Sequence, residues 1–284
     1  MLGTEVEELL KTQGLNYIAS DQEVDITNID ELQKYSEQKP ISWIINCAAY
    51  TAVDKAEDEP DLAFKLNAAG PLNIAKTTKT KNAKLIHIST DYVFDGAKKD
   101  AYTEKDTPNP INIYGASKYQ GERNIRETIE EYFILRTSWL YGKNGNNFVH
   151  TMLRLFKKQD EVRIVNDQWG SPTYAVDLAK MIVEIINRNS DQYGMYNFTN
   201  EGSTNWYEYA NHILRLAQSN GLTTSKNSII PITTEQYPTK AKRPHNSRLS
   251  KKVITGTFAF DIRKWDIALE EYFSNVFNEK DNKR

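Results

Sequence analysis

Tyr114 and Lys118 stand four residues apart in Tyr114-Gly115-Ala116-Ser117-Lys118. On a helix that spacing puts a phenol and an ammonium on one face. A free tyrosine, with a pKa near ~10, is a poor acid–base group at neutral pH. A cation beside it favours the phenolate and lowers that pKa, so the tuned phenol can pass a proton to a carbonyl oxygen as hydride reaches the carbon. Thr90, in Ser89-Thr90-Asp91, offers a second hydroxyl to the same oxygen, although threonine and aspartate also suit a plain turn. Spacing alone is weak evidence, because Tyr35 and Lys39 repeat it. That copy runs into Pro40 and follows no strand, and it is read as coincidence. Tyr114 instead lies one loop beyond a strand-like run ending Ser89-Thr90-Asp91, and its helix leads into another strand.

The elements that must hold these residues alternate. Val6, Leu9 and Leu10 make a short apolar helical stripe that Gly14 can close. Leu15 to Ala19 is expected as a strand. Thr27 or Asn28 can cap a helix through Gln38, with Pro40 beyond its end. Ile41 to Asn46 is a buried strand, Pro60 opens a long helix towards Thr80, and Lys84 to Ser89 is a strand. Asn112 to Glu130 is helical, and Tyr132 to Thr137 is again a strand. This alternation implies an α/β fold, a Rossmann-type doubly wound parallel sheet. In such sheets ligands bind beyond the carboxyl ends of the strands. The residues that follow the strands are Asn46 to Thr51, Thr90 to Tyr92 and Ser138 to Tyr141.

After about residue 145 the rhythm loosens, and a smaller C-terminal substrate-binding lobe is expected. The expected division gives 1–145, with about 161–190, to a dinucleotide-binding domain, and 146–160 with 191–284 to the lobe. The stretch 161–188, a strand, a loop and a helix, is expected to return to the main sheet. The charged end, Glu279 to Arg284, is expected to fray.

The chain has 284 residues, 39% of them hydrophobic, which allows a sizeable core. A net charge of -2 argues against nucleic acid or an anionic membrane as partner. Cys47 stands alone, so no internal disulfide points to an oxidising compartment. The acidic start lacks the order of a signal peptide, and no run approaches the ~20 apolar residues that span a bilayer. A cytoplasmic protein is expected. His87, His150, His212 and His245 are scattered, and no metal site is expected. Oligomeric state is not legible; a homodimer is allowed for, and no residue argues for it.

Several ordered blocks are similar to the extended short-chain dehydrogenase/reductases. They are Asp25-Ile26-Thr27, Asn46 to Glu57, Ser89 to Gly96 and Tyr114 to Lys118. Arg136 to Gly142, Gln168 to Thr173 and Arg243 to Leu249 narrow the resemblance to the dTDP-4-dehydrorhamnose reductases, through nearly the whole chain. The resemblance implies NADPH- or NADH-dependent reduction of the C4 ketone of dTDP-4-dehydro-6-deoxy-L-mannose to dTDP-L-rhamnose, a cell-surface polysaccharide precursor. It makes Tyr114 the proton donor, Lys118 the residue that holds the nicotinamide ribose and tunes Tyr114, and Thr90 the group that polarises the ketone. Asp91 and Trp139 would contact the sugar, with Thr51 and Val53 near the substrate. Asp25 and Ile26 would flank adenine, and Ala49, Tyr50, Thr51 and Ile88 would line the cofactor. The basic run Lys240 to Lys252 offers Arg243 and Arg248 for the substrate diphosphate, since arginine suits phosphate recognition; a charge run is more often a solvated loop.

The sequence departs from the family at its start. Such proteins open with a strand and a turn of three glycines at a helix N-terminus, where backbone amides meet the pyrophosphate. Met1-Leu2-Gly3-Thr4-Glu5 matches only the end of that turn, and Gly3 would be its last glycine. The expectation is an incomplete version of a longer protein, with a natural variant of impaired cofactor binding as the other account. Asp21, just after the expected strand Leu15 to Ala19 (the second in the family's order), would repel a 2′-phosphate and leans towards NADH. Two other readings stand beside the first: a reductase or epimerase on another nucleotide sugar, and a non-catalytic subunit resembling the regulatory subunit of methionine adenosyltransferase.

Overall fold

A computed structural model describes residues 1–37, 39–224 and 226–277. Gln38 and the expected fraying of Glu279 to Arg284 lie outside the described residues. The first half forms α1 (Leu2–Thr12), α2 (Ile29–Ser36), β1 (Trp43–Asn46), α3 (Val53–Ala56), α4 (Pro60–Phe64), α5 (Gly70–Thr80), β2 (Lys84–Thr90), α6 (Ile113–Thr128) and β3 (Tyr132–Thr137). The second half forms β4 (Leu140–Tyr141), α7 (Phe148–Lys158), β5 (Glu161–Val165), β6 (Trp169–Gly170), β7 (Thr173–Tyr174), α8 (Ala175–Asn187), β8 (Gly194–Asn197), β9 (Thr204–Asn205), α9 (Trp206–Ser219), β10 (Ser228–Ile232), α10 (Lys252–Phe258) and α11 (Trp265–Phe277).

Local sequence signals set several of these boundaries. The Asn28 side chain accepts from the backbone of Asp30 at 3.1 Å and Glu31 at 3.4 Å, capping α2. Thr27 is used otherwise, donating to Asp25 from backbone and hydroxyl. At the end of α1, Leu15 N–H returns to the Leu10 carbonyl and Gly14 N–H to that of Lys11, with Gly14 at φ +68°. That is a Schellman close, which glycine allows without a Cβ penalty. The helix expected from Pro60 to Thr80 is continuous, but a π turn at Lys65–Ala69 separates α4 from α5.

The main sheet runs β1-β2-β3-β8, and every pairing is parallel. Successive side chains of its central strands enter opposite cores. Ile86, Phe133 and Leu135 pack with α1, α8 and α10, while Leu85 and Ile134 pack with α5 and α6. All five are fully buried, each worth roughly 1.5–3 kcal/mol relative to exposure. Helices on both faces make the sheet doubly wound.

Two strand expectations change. Leu15 to Ala19 forms no strand. β1 pairs only with β2 among the described residues, so this run has no ladder partner, and Leu15 and Tyr17 are held by side-chain packing instead. Strand β5 does not return to the main sheet. It pairs with β10, in register from Glu161 with Ser228 to Val165 with Ile232. The fourth main-sheet position goes to β8, whose residues the sequence assigned to the lobe. Helix α8 does return, burying Leu178, Ala179 and Ile182 against the main core. A second core, rich in aromatics, buries Tyr141, Phe156, Tyr209, Tyr272 and Phe273 among α7, α9 and α11.

Candidate active site

The site forms at the carboxyl end of β2. Thr90 closes that strand, and its hydroxyl accepts from Tyr92 N–H at 3.2 Å, turning the chain into a short 3-10 segment at Asp91–Val93. Helix α6 begins beside this turn, capped by Asn112, whose side chain accepts from Gly115 N–H at 2.7 Å. The fit is close: a Cβ at Gly115 would stand 2.1 Å from the Tyr92 carbonyl oxygen. Glycine at that position lets the first turn of α6 bring Tyr114 against Tyr92, with ring centroids 5.7 Å apart and edge to face.

The surrounding protein pushes the half-buried Tyr114 phenol up to about 12. Asp91 adds to the rise, and a hydrogen bond with the Thr90 hydroxyl opposes it. The expected lowering by Lys118 is therefore not what the structure shows. The Lys118 side chain runs to β2, donating to the Ile88 carbonyl at 2.6 Å and lying 3.4 Å from His87 Nε2. Burial lowers Lys118 to about 8, with Glu122 and Cys47 opposing.

His87 was not singled out from the sequence, and it backs Lys118. The Asn46 side-chain oxygen accepts from Ala48 N–H at 3.0 Å, so its amide group faces His87 Nδ1, also at 3.0 Å. His87 is fully buried, and burial together with the Lys118 charge holds it well below the usual histidine range, hence neutral. Asn67, on the π turn, was also missed. It accepts from Tyr50 N–H at 2.8 Å, donates to the Tyr50 carbonyl at 3.0 Å and donates to Ser117 Oγ at 3.0 Å. The segment after β1 is thereby fixed to α6.

Asp91 is 3% exposed. It accepts from the Thr90 hydroxyl at 3.1 Å, and its second oxygen has no hydrogen-bond partner among the described residues. Burial raises it to about 7, with Ser247 and Thr90 opposing. Trp139 follows β3 with φ +47°, rare for a bulky residue.

The other expected residues distribute around this centre. Ala49, Tyr50, Thr51 and Val53 follow β1, with Thr51 exposed. Tyr50 also donates its hydroxyl to Glu59 at 2.6 Å. Gly3 is exposed in the first turn of α1, near Cys47 at the end of β1. Asp25 is exposed and held low by its Thr27 hydrogen bonds. Ile26 packs on Gly70 and the core beneath α5. Arg243 makes two bonds to Asp54, at 3.1 and 2.8 Å. Arg248 points elsewhere, to Asn246 at 2.8 Å and to the Lys99 carbonyl.

These residues fit a nicotinamide dinucleotide. The buried Lys118 ammonium has three N–H donors, and only one is committed to a carbonyl. The first turn of α1 presents backbone amides beside the end of β1, which suits a pyrophosphate. Among the described residues no group of three or more His, Cys, Asp or Glu side chains could hold a metal ion. No helix among them is long and apolar enough to cross a membrane.

A protein-family model described as the RmlD substrate binding domain matches residues 1–278. The dTDP-4-dehydrorhamnose reductase of Aggregatibacter actinomycetemcomitans is 40% identical over 275 residues, 95% of this chain and 94% of its own length. The crystal structure of dTDP-4-dehydrorhamnose reductase from Bacillus anthracis in complex with NADP matches with TM-score 0.91 and 42% identity, covering 96% of this chain and 95% of that one. The dTDP-4-dehydrorhamnose reductase ortholog of Clostridium acetobutylicum matches with TM-score 0.91 and 41% identity, over 97% and 95% of the two chains.

Proposed function

The chain belongs to the RmlD substrate-binding-domain family, and on that premise we propose that it reduces the C4 ketone of dTDP-4-dehydro-6-deoxy-L-mannose with NAD(P)H, giving dTDP-L-rhamnose. The observation that carries this reading is the placement of Thr90 and Tyr114 on two neighbouring elements at the carboxyl end of β2, pressed together through Gly115 and Tyr92. Two hydroxyl donors there meet one substrate oxygen.

The bound nicotinamide supplies the hydride. Tyr114 supplies the proton to the C4 oxygen. A phenol held at about 12 is fully protonated at neutral pH, which is the state a reduction requires of its donor. Thr90 donates to the same oxygen and stabilises the negative charge that develops on it. Lys118, buried and held by the Ile88 carbonyl, supplies a cation and free N–H donors for the nicotinamide ribose. Asp91, Trp139, Thr51 and Val53 orient the sugar, with Arg243 assigned to the diphosphate; Arg248, turned to Asn246 and Lys99, is left out of that role. Ala49, Tyr50 and Ile88 line the cofactor, Asp25 and Ile26 flank its adenine, and Gly3 admits its pyrophosphate.

The N-terminal sheet is assigned to the cofactor and the aromatic-cored lobe to the nucleotide sugar. A cytoplasmic setting and the absence of nucleic-acid and membrane partners belong to the same proposal; the net charge of -2 supports the absence of polyanionic partners.

The test follows nicotinamide oxidation with the dTDP keto-sugar. The reading requires turnover by the wild-type chain and a fall in kcat of roughly 10²–10⁴-fold in Tyr114→Phe, with folding retained. Full turnover by that variant would reject the mechanism. Equal turnover of a uridine-linked 4-keto sugar would reject the assigned nucleotide.

A further inference from the structure

Glu122 lies on α6 one turn beyond Lys118 and two turns beyond Tyr114, on the same face. It is 0% exposed. Both of its carboxylate oxygens are engaged. One accepts from the Ser89 hydroxyl at 2.6 Å and from Arg136 Nε at 2.8 Å; the other accepts from the second Arg136 donor at 2.6 Å. Ser89 and Arg136 are register partners across β2 and β3. A single carboxylate from the helix therefore clamps two adjacent strands at one level of the sheet.

That level lies immediately below the site. Ser89 directly precedes Thr90, so the bond that fixes Ser89 to α6 fixes the strand at the residue before the ketone-facing hydroxyl. Arg136 extends the clamp, because its guanidinium lies 5.0 Å from the Phe94 ring, on the segment that carries Asp91. A buried ion pair is a weak source of stability, since desolvating two charges offsets most of their attraction and an apolar pair of equal volume often serves as well. One geometry is what such a pair defines better than an apolar contact. Lys118 feels it too: His87 on β2 lies 3.4 Å from its ammonium, and the charges of Glu122 and of Cys47, just past β1, oppose the lowering caused by burial.

We propose that Glu122 is a positioning residue for the reduction: its carboxylate sets the register of α6 against β2, and so the placement of the Tyr114 phenol relative to the Thr90 hydroxyl. The inference rests on the reductase reading above. Misplacing reacting groups by about an ångström costs up to ~100-fold in rate, and a register set from two turns away is a way to incur that loss without touching substrate.

Two variants test it on the full chain. Glu122→Asp keeps the charge and withdraws the carboxylate by one methylene, while Ser89→Ala cuts only the tie to β2. Each is measured for its unfolding midpoint, its affinity for dTDP, and kcat and KM with the dTDP keto-sugar. The expected result is a fall in kcat of roughly 10–100-fold for Glu122→Asp and about 10-fold for Ser89→Ala, with dTDP affinity and KM changed by no more than about twofold. Folded variants with wild-type kcat overturn the inference even where the unfolding midpoint falls, because the clamp is then structural only. Should Glu122→Asp not fold, Ser89→Ala decides alone. A wild-type chain that binds dTDP and NAD(P)H without turnover overturns the reductase reading itself.

Discussion

Trp139 and Trp206 stack with ring centroids 3.6 Å apart and planes 13° from parallel, although Trp139 itself sits at φ +47°. A non-glycine residue in that region persists only where its surroundings over-determine it. Here the surroundings are Trp206 at the start of α9 and Gly170 in β6. A Cβ on Gly170 would stand 2.6–2.8 Å from three indole atoms of Trp139. The strained backbone and the two neighbours fix the indole in one orientation beside the carboxyl end of β3.

Trp206→Leu is expected to free that indole. Aromatic pairing contributes about 0.5–1.5 kcal/mol beyond buried area, so a stability loss of about 1–2 kcal/mol is expected. The KM for the dTDP keto-sugar should rise by roughly tenfold with kcat nearly unchanged, the pattern of lost uniform binding. Gly170→Ala should act in the same direction through overpacking, at about 1–3 kcal/mol. Urea unfolding and steady-state kinetics decide. An unchanged KM in both variants would remove Trp139 from the substrate pocket.

The sequence was legible where the determinants are local. Asn28 caps a helix by reaching two and three residues along the chain, Gly14 closes one, and the strand at Tyr132 to Thr137 is recorded in a continuous apolar run. Tyr114, Gly115 and Lys118 belong to one helix. What was missed connects distant positions: Glu122 with Ser89 across 33 residues, Asn67 with Ser117 across 50, and Arg243 with Asp54 across 189. No periodicity marks such partners: Glu122, Ser89, Asn67 and Ser117 look like ordinary surface residues until the fold buries them, and Arg243 and Asp54 stay partly exposed even when paired. Leu15 to Ala19 failed for the converse reason. Its composition suits a strand, but a strand exists only with a ladder partner.

Asp91 should make the protein less stable as pH rises. Its folded pKa, about 7, lies above the unfolded value of 3.8. Between those values the native state binds more protons than the unfolded state, so stability falls with increasing pH, and the whole penalty is present above about pH 7. Asp91→Asn removes the charge and keeps the shape. Its stability advantage over wild type should be small near pH 4, grow towards pH 7 and then level off at about 2–4 kcal/mol. Urea titrations at pH 5 and pH 8 measure it, and turnover should fall in the same variant because the sugar loses an acceptor. An advantage that does not change with pH would mean that Asp91 is not ionised against its surroundings.

Arg243 is already paired with Asp54. Asp54 takes both ends of its guanidinium and also accepts from Ala241 N–H at 3.2 Å, so one carboxylate on α3 holds the 241–243 backbone and the cation together. The side chains are 22% and 44% exposed, and a pair this open contributes no more than about 1 kcal/mol to stability. Its consequence should appear in binding. If Asp54 serves to aim Arg243, then Asp54→Ala weakens dTDP affinity by roughly 5–10-fold, and Arg243→Met weakens it at least as much, because the fork that grips a diphosphate is lost outright. Thymidine, without phosphate, should bind all three proteins alike. Equilibrium dialysis with dTDP and thymidine separates the outcomes. Tighter dTDP binding by Asp54→Ala would reverse the assignment, making Asp54 a competitor that the diphosphate must displace from Arg243.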